Sequence, residues 1–304
     1  MNHRILDISD APARLKVRRS LLVIERNEND TVTVPFADIA VVVVSHPQVS
    51  YTQAVLSRLS AEGSIFIACD EHRLPVGMLL PLQGHFIQTE RFTAQANASL
   101  PTKKRLWQQV VRAKITQQAD LLEEIQQSDY GLKKMLSRVK SGDPQNVEAQ
   151  AARKYWSVLF GSNTFRRDIE AQDQNRLLNY GYAVLRAIVA RAICAAGLHP
   201  SLGLHHHNRY NSFCLADDLM EPYRPIVDRV VAEFVEEYGF EAEFKSEAKN
   251  DLLFSLTGRC LIDGEQRTLF DACSKTASSL TSVFLDEATE LELPESLKIC
   301  LEKN

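Results

Sequence analysis

The sequence has no C-x-x-C pair, and its six cysteines (Cys69, Cys194, Cys214, Cys260, Cys273 and Cys300) are scattered singly. That spacing excludes zinc fingers, a thioredoxin-like motif and a secreted disulfide framework, leaving buried apolar thiols in a reducing cytoplasm as the simplest reading. Long apolar stretches are also missing. The longest purely apolar run is Ile39 to Val44, and the start, MNHRILDISD, lacks a basic segment followed by an apolar one. A cytoplasmic chain without signal peptide or membrane span is expected. No G-x-G-x-x-G, Walker-type phosphate loop, G-x-S-x-G or H-E-x-x-H can be written from the residues, which removes dinucleotide enzymes, P-loop NTPases and zincins. Neither an internal repeat nor a low-complexity linker is found. Positive charge is not in excess, with 35 Lys and Arg against 39 Asp and Glu.

What is present is an ordinary folded composition, 304 residues with 45% hydrophobic and 24% charged, enough for about two domains. The formal charge of -4 conceals an uneven distribution: residues 91–190 carry +7 and the remainder -11. The period of the apolar residues also changes along the chain. Leu15 and Val17, then Val32 and Val34, alternate as in half-buried strands, with a turn-like stretch from Asn27 to Asp30. Val41 to Val44 and Ile65 to Cys69 read as strands covered on both faces, separated by a helix with Thr52 as cap, Val55, Leu56 and Leu59 inward and Gly63 past its end. Beyond about residue 95 the period is helical: Leu106 to Gln127, a short basic segment at 132–140, and an apolar stripe of Gly181, Leu185, Ile188, Val189, Ala192 and Ala196. Helices are further predicted at 225–238 and 266–284, although Ile226 to Val235 is rich in β-branched residues and equally strand-like. The fold class is α+β, with a small β-rich N-terminal domain (1–95) followed by a larger all-α domain (96–304).

Three features could carry chemistry. The segment from Gly203, GLHHHNRYNSFCLADDLMEPYRP, places three consecutive histidines just before Asp217, Asp218 and Glu221. If residues 217–221 are helical, the carboxylates share a face, and a divalent cation would relieve their repulsion; imidazole plus carboxylate oxygens suits Mg²⁺ or Mn²⁺. A solvated helix start is the plainer alternative. Glu148 lies in a helical pattern with Val147, Ala151, Tyr155 and Val158, and by itself reads as an exposed glutamate near Arg153 and Lys154. Basic residues group at Lys103, Lys104 and Arg105, at Arg112 and Lys114, at Lys133, Lys134, Arg138 and Lys140, at Arg153 and Lys154, and at Arg166 and Arg167. They read either as solvated faces or as a footprint for phosphate backbone, and Trp107, Tyr155 and Trp156 among them either as core or as stacking platforms for bases. From Asp286 on the chain is acidic, either a solvated tail or a partner surface.

At these residues the sequence resembles the CRISPR-associated adaptation integrases, the Cas-one family. Val147-Glu148-Ala149 with Ala151-Ala152-Arg153 and Tyr155 is similar to the family's first acidic motif, and NRLLNYGY (Asn175 to Tyr182) to its helix motif. GLHH and LADDLMEPYRP are similar to its histidine and second acidic motifs, and IFIACDEHRLPVGMLLP (Ile65 to Pro81) to its N-terminal part. The resemblance spans essentially the whole chain and looks most like members from type II systems. It implies a metal site, and a catalytic one, of Glu148, His206 and Glu221; His206 is chosen over His205 because the family's histidine stands three positions after the glycine, here Gly203. Asp218 would be a supporting acid for metal or DNA. The implied function is a Mg²⁺- or Mn²⁺-dependent endonuclease and strand transferase of spacer acquisition, in which a donor 3′-hydroxyl attacks a phosphodiester at a CRISPR repeat. A structure-selective nuclease on branched DNA and a non-catalytic DNA-binding scaffold are the alternatives. Implied partners are double-stranded DNA (donor spacer and repeat), a second copy of the chain bound largely through the β-rich domain, and the Cas-two subunit, with the RNA-guided effector nuclease as a further candidate. Lys103, Lys104, Arg105, Lys133, Lys134, Arg138, Arg153, Arg166 and Arg167 are the expected DNA contacts.

Overall fold

The computed structural model describes residues 4–297 except 28–29, 82–83, 162–164, 169, 172 and 241–245. Cys300, Lys298, Glu302 and Lys303 lie outside the described residues. The N-terminal part contains two four-stranded sheets. Its elements are β1 (Arg4–Ile8), β2 (Arg14–Arg18), β3 (Leu21–Asn27), β4 (Asp30–Pro35), β5 (Ile39–Val44), β6 (Ser50–Tyr51), α1 (Gln53–Ala61), β7 (Ile65–Cys69) and β8 (Pro75–Leu79). One sheet has the order β4-β3-β2-β6, the other β1-β5-β7-β8 with β1, β5 and β7 parallel. Three of these strands, β1, β6 and β8, were not read as strands from the sequence. Nor was the β2–β3 turn, because Arg19 and Ser20 both hold positive φ (50° and 61°) without the glycine or asparagine that usually marks such a hairpin.

The continuous apolar runs are covered on both faces, as their composition predicts. Ile39 and Val42 of β5 and Phe66 of β7 face a core shared with Leu15, Leu22, Ile24, Val55 and Leu59. Their neighbours Val41, Val43, Ile65 and Ile67 face the opposite way, into the core of the helical part. Alternation along the strand thus sends successive residues into two different cores. Arg191 of the helical part reinforces the contact by donating to the Gly63 carbonyl at 2.7 Å.

The helical part runs α2 (Gln88–Asn97), α3 (Leu100–Gln126), α4 (Leu132–Met135), α5 (Val147–Leu159), α6 (Asn175–Ala195), α7 (Cys214–Met220), α8 (Pro225–Tyr238) and α9 (Ser246–Ser255). It closes with β9 (Arg259–Ile262), β10 (Glu265–Thr268) and α10 (Leu269–Phe284). Pro101 stands in the first turn of α3, where its missing N–H costs nothing, and Ser99 caps that turn by accepting from the Thr102 N–H. α6 is the central helix. Among the described residues it alone is long and apolar enough to cross a membrane, and 72% of that stretch is buried inside the protein. Gly181 is small because α8 crosses there: a Cβ would lie 2.5 Å from Val227 Cγ1.

One expectation requires correction and one ambiguity is resolved. The larger part is not all-α, because β9 and β10 form an antiparallel hairpin where a helix from residue 266 was predicted. Asp263 and Gly264 take positive φ (52° and 66°), the conformation an Asp-Gly turn favours, and α10 begins only at Leu269, capped by Thr268. The ambiguous stretch Ile226 to Val235 is helix, set by burial of Ile226, Val227, Val231 and Val235 in the common core. The described part of the acidic end is anchored as well: Leu291 and Leu297 are buried and Gln117 of α3 grips the Pro294 carbonyl and the Leu297 N–H. Its carboxylates Asp286, Glu287, Glu290, Glu292 and Glu295 still point to solvent.

A candidate metal-dependent site between four segments

Four segments converge on one face of α3, whose residues Trp107 and Lys114 are seven positions apart and so share that face. The first is α5, whose start is fixed by two side chains. Asp143 accepts from the N–H groups of Val147 and Glu148, each at 2.9 Å, and Asn146 accepts from Ala149. Glu148 therefore stands in the first turn, half-buried, and forms a short hydrogen bond with the Lys114 ammonium. It is not the solvated glutamate its local sequence suggests.

Glu221 comes from the second segment, where α7 gives way to a 3-10 turn over Glu221–Tyr223. It is 5% exposed. Its Oε1 lies 3.0 Å from Arg224 Nη2 and its Oε2 lies 2.6 Å from Lys114 Nζ. Lys114, 7% exposed, thus bridges the two glutamates. Burial works against the charge on this lysine, but Glu221 and Glu148 outweigh it and hold its pKa above the ordinary value. For Glu221 burial works toward protonation, and Arg224 and Lys114 overcome it to leave the carboxyl more acidic than usual.

The third segment is the histidine loop. Asp218 is fully buried and accepts from the N–H groups of Leu204 at 2.6 Å and His205 at 3.0 Å. The loop wraps so tightly that a Cβ on Gly203 would meet the His206 carbonyl oxygen at 2.5 Å. Asp218 Oδ1 lies 2.5 Å from His206 Nδ1. An ionised carboxylate accepts only, so the proton sits on Nδ1 and Nε2 is left for other chemistry. That hydrogen bond raises the His206 pKa, and the charge of Glu221 adds to the rise. His205 lies flat on Trp107, ring centroids 4.3 Å apart, while His206 meets the same indole edge-on and His207 is exposed.

The fourth segment is a buried polar group behind Glu221. Asp228 accepts from the hydroxyls of Tyr155 at 2.8 Å and Tyr182 at shorter range, and the Arg224 guanidinium lies 4.6 Å above the Tyr182 ring. Arg224 thereby joins Glu221 to this support.

The structure brings Glu148 and Glu221 onto one cation and seats His206 on Asp218 and Trp107 beside them. It does not place Asp217, Asp218 and Glu221 on one face. Asp217 turns to Arg186 at 2.6 Å and to Asn211, Asp218 to the histidine loop, and Glu221 to α3. Among the described residues no three His, Cys, Asp or Glu side chains already converge to hold a metal ion. Donor chemistry nonetheless fits one. Glu221 Oε2 is buried against the Lys114 ammonium at 2.6 Å and Glu148 meets the same ammonium, so the space between the two glutamates already takes a cation. Two carboxylates and one imidazole nitrogen form an oxygen-rich set suited to Mg²⁺ or Mn²⁺.

Among the expected DNA contacts, Lys104, Arg105, Lys134, Arg153 and Arg166 are exposed and Lys103 is partly so. Lys133 is paired with Asp120 and Glu123, Arg138 with Gln150, and Arg167 turns inward to Asn175 and Asn179. Trp107 and Tyr155 are core residues. Sequence reasoning passed over Asp143, Arg224 and Asp228, and grouped Lys114 with Arg112 among the basic residues that could meet phosphate backbone. Lys114 had a signal: a cation on the apolar stripe of Val110, Val111 and Ile115.

The family model described as CRISPR associated protein Cas1 matches residues 6–262. The CRISPR-associated endonuclease Cas1 of Neisseria meningitidis serogroup C (strain 8013) is 38% identical over 290 residues, 94% of each chain. A second such endonuclease, from Pyrobaculum aerophilum, is 30% identical over 254 residues, 79% of this chain and 83% of its own. Among solved structures the fold is similar to a casposase bound to its integration product (TM-score 0.77, 19% identity, 95% and 92% of the two chains). It is similar also to a Cas1 protein from Thermotoga maritima (TM-score 0.74, 16% identity, 94% and 98%).

Proposed function

The chain belongs to the Cas1 family of CRISPR-associated proteins, and from that premise we propose that Glu148, His206 and Glu221 are the metal-binding and catalytic residues of a spacer-acquisition endonuclease and integrase. The observation that carries this reading is the convergence of Glu148 from α5 and Glu221 from the α7 turn on a single cationic position, beside a histidine with one nitrogen committed. Both glutamates and His206 Nε2 would hold Mg²⁺ or Mn²⁺. Such an ion, when bound, neutralises charge developing on the transferring phosphoryl group and orients the 3′-hydroxyl for in-line attack.

The protein's own residues do the rest. Asp218 keeps His206 in one tautomer and orientation; that Nε2 can ligate a metal or accept a proton, but not both at once. Arg224, held over Tyr182, fixes the rotamer of Glu221. Exposed Lys104 and Arg105 and partly exposed Lys103 at the start of α3, with Arg153 on α5, supply sequence-independent contacts to DNA backbone. Relatives named as endonucleases support a nuclease activity at the same centre. Solved chains of this fold described as a casposase on its integration product and as a Cas6-RT-Cas1–Cas2 complex support integration with double-stranded DNA, donor and repeat, and pairing with a Cas2 subunit. Assembly as a homodimer through the β-rich part, and a type II system, belong to the same proposal.

The test is strand transfer of a labelled donor into supercoiled repeat DNA with the Cas2 subunit and Mn²⁺. Glu148→Ala and Glu221→Ala should each reduce product at least a hundredfold with DNA binding retained. Transfer surviving either substitution, or EDTA, removes the site assignment.

A further inference from the structure

Lys114 is the one member of this site that neither the motifs nor the chemistry just described calls for. It reaches in from the apolar face of α3, nearly closed off from solvent, with its ammonium against Oε1 of Glu148 and Oε2 of Glu221. A phosphate contact would need the amine at the surface, and a purely structural ion pair would need only one carboxylate. Two carboxylates facing each other in a poorly hydrated space repel strongly unless positive charge lies between them. Arg224 cannot supply it, since it takes the other oxygen of Glu221.

We propose that Lys114 is a tethered placeholder cation: in the metal-free protein its ammonium occupies the position between Glu148 and Glu221 that a divalent ion takes, and the ion binds only by displacing it. This rests on the metal reading above. The exchange follows from the position of the ammonium, which stands between the two glutamates and 2.6 Å from Glu221 Oε2, where an ion held by both carboxylates would have to sit. Four rotatable bonds let the amine withdraw without any movement of α3. Two consequences follow. The glutamates stay assembled before metal arrives, and metal affinity is set low by competition with an internal cation.

The experiment uses metal-free full-length protein, Mn²⁺ titration calorimetry, and thermal unfolding with and without EDTA. Lys114→Met should unfold several degrees lower in EDTA, bind Mn²⁺ at least tenfold more tightly than wild type, and gain a larger rise in Tm on adding Mn²⁺. Lys114→Arg, which keeps the charge, should show no gain in affinity. A folded Lys114→Met that binds Mn²⁺ no more tightly than wild type overturns the placeholder and leaves the metal reading standing. Wild type that binds no Mn²⁺ at millimolar concentration overturns the metal reading itself, and the placeholder with it. Should Lys114→Met not fold, the wild-type protein still decides. Acetylation of Lys114 followed by mass spectrometry should rise severalfold on adding Mn²⁺ while other lysines stay unchanged, and equal labelling in EDTA and Mn²⁺ overturns the displacement.

Discussion

Asp228 shows how a single buried carboxyl behaves when its partners are neutral hydroxyls. Burial pushes its pKa up from 3.8 to about 6, although Tyr182 and Tyr155 donate to it and Arg224 and Arg167 lie near. The folded state thus holds this proton more tightly than the unfolded chain does. Its contribution to stability is fully present below about pH 4, is lost as pH rises through about 6, and amounts to roughly 3 kcal/mol over that window. The stability of wild type minus that of Asp228→Asn, from denaturant unfolding, should therefore fall by about that amount between pH 4 and pH 7. A difference that stays constant would show that another group titrates. Asp218 acts on His206 in a different way, through orientation. Asp218→Asn keeps the shape but offers one acceptor fewer to the loop, and strand transfer should drop about 10- to 100-fold, with weaker Mn²⁺ binding seen by calorimetry.

At the scale of elements, the start of α5 decides where Glu148 stands. Asp143→Ala removes the acceptor for two N–H groups and should cost about 1–2 kcal/mol in unfolding free energy, with a loss of strand transfer larger than that instability explains. Gly181→Ala should cost about 1–3 kcal/mol, because α6 and α8 cannot separate without opening the core, and thermal unfolding measures it. Elements also show what a sequence reveals. The α6 stripe was legible because a buried helix writes its period into the chain, and the β5 run because both its faces are covered. The Asp263-Gly264 turn was written equally plainly but stood just ahead of a stretch read as helix from residue 266, which took in most of β10, so the hairpin was missed. For α8, β-branched residues left helix and strand equal, and only neighbours in space decide. Glu148 and Glu221 were legible through motif resemblance, while Lys114 was hidden among basic residues. Its role depends on two carboxylates brought to it from 34 and 107 positions away in sequence, which no local pattern records. The same holds for Asp217, Asp218 and Glu221, which diverge because α6, the histidine loop and α3 approach α7 from three sides.

For the whole molecule, the small net charge of -4 hides a division of labour: basic residues along α3 to α5 and carboxylates at the anchored end. Changing Lys103, Lys104 and Arg105 together to Gln should weaken binding to duplex DNA of any sequence and reduce the slope of log affinity against log salt by up to about 3, one for each phosphate no longer neutralised. An unchanged slope would place the DNA elsewhere. Equal effects on all sequences are expected, since contacts to phosphate position a duplex without reading it.

The sheet β1-β5-β7-β8 bears on how freely this architecture can be cut and rejoined. Val41, Val43, Ile65 and Ile67 form one wall of the core that holds the helices of the candidate site, so that wall belongs to both halves of the chain. A fragment beginning at α2 would lose that wall and expose the residues of α6 packed against it. The two halves are therefore not interchangeable modules: recombination between relatives near residue 87 should give insoluble or molten chimaeras unless both faces of β5 and β7 are carried across together.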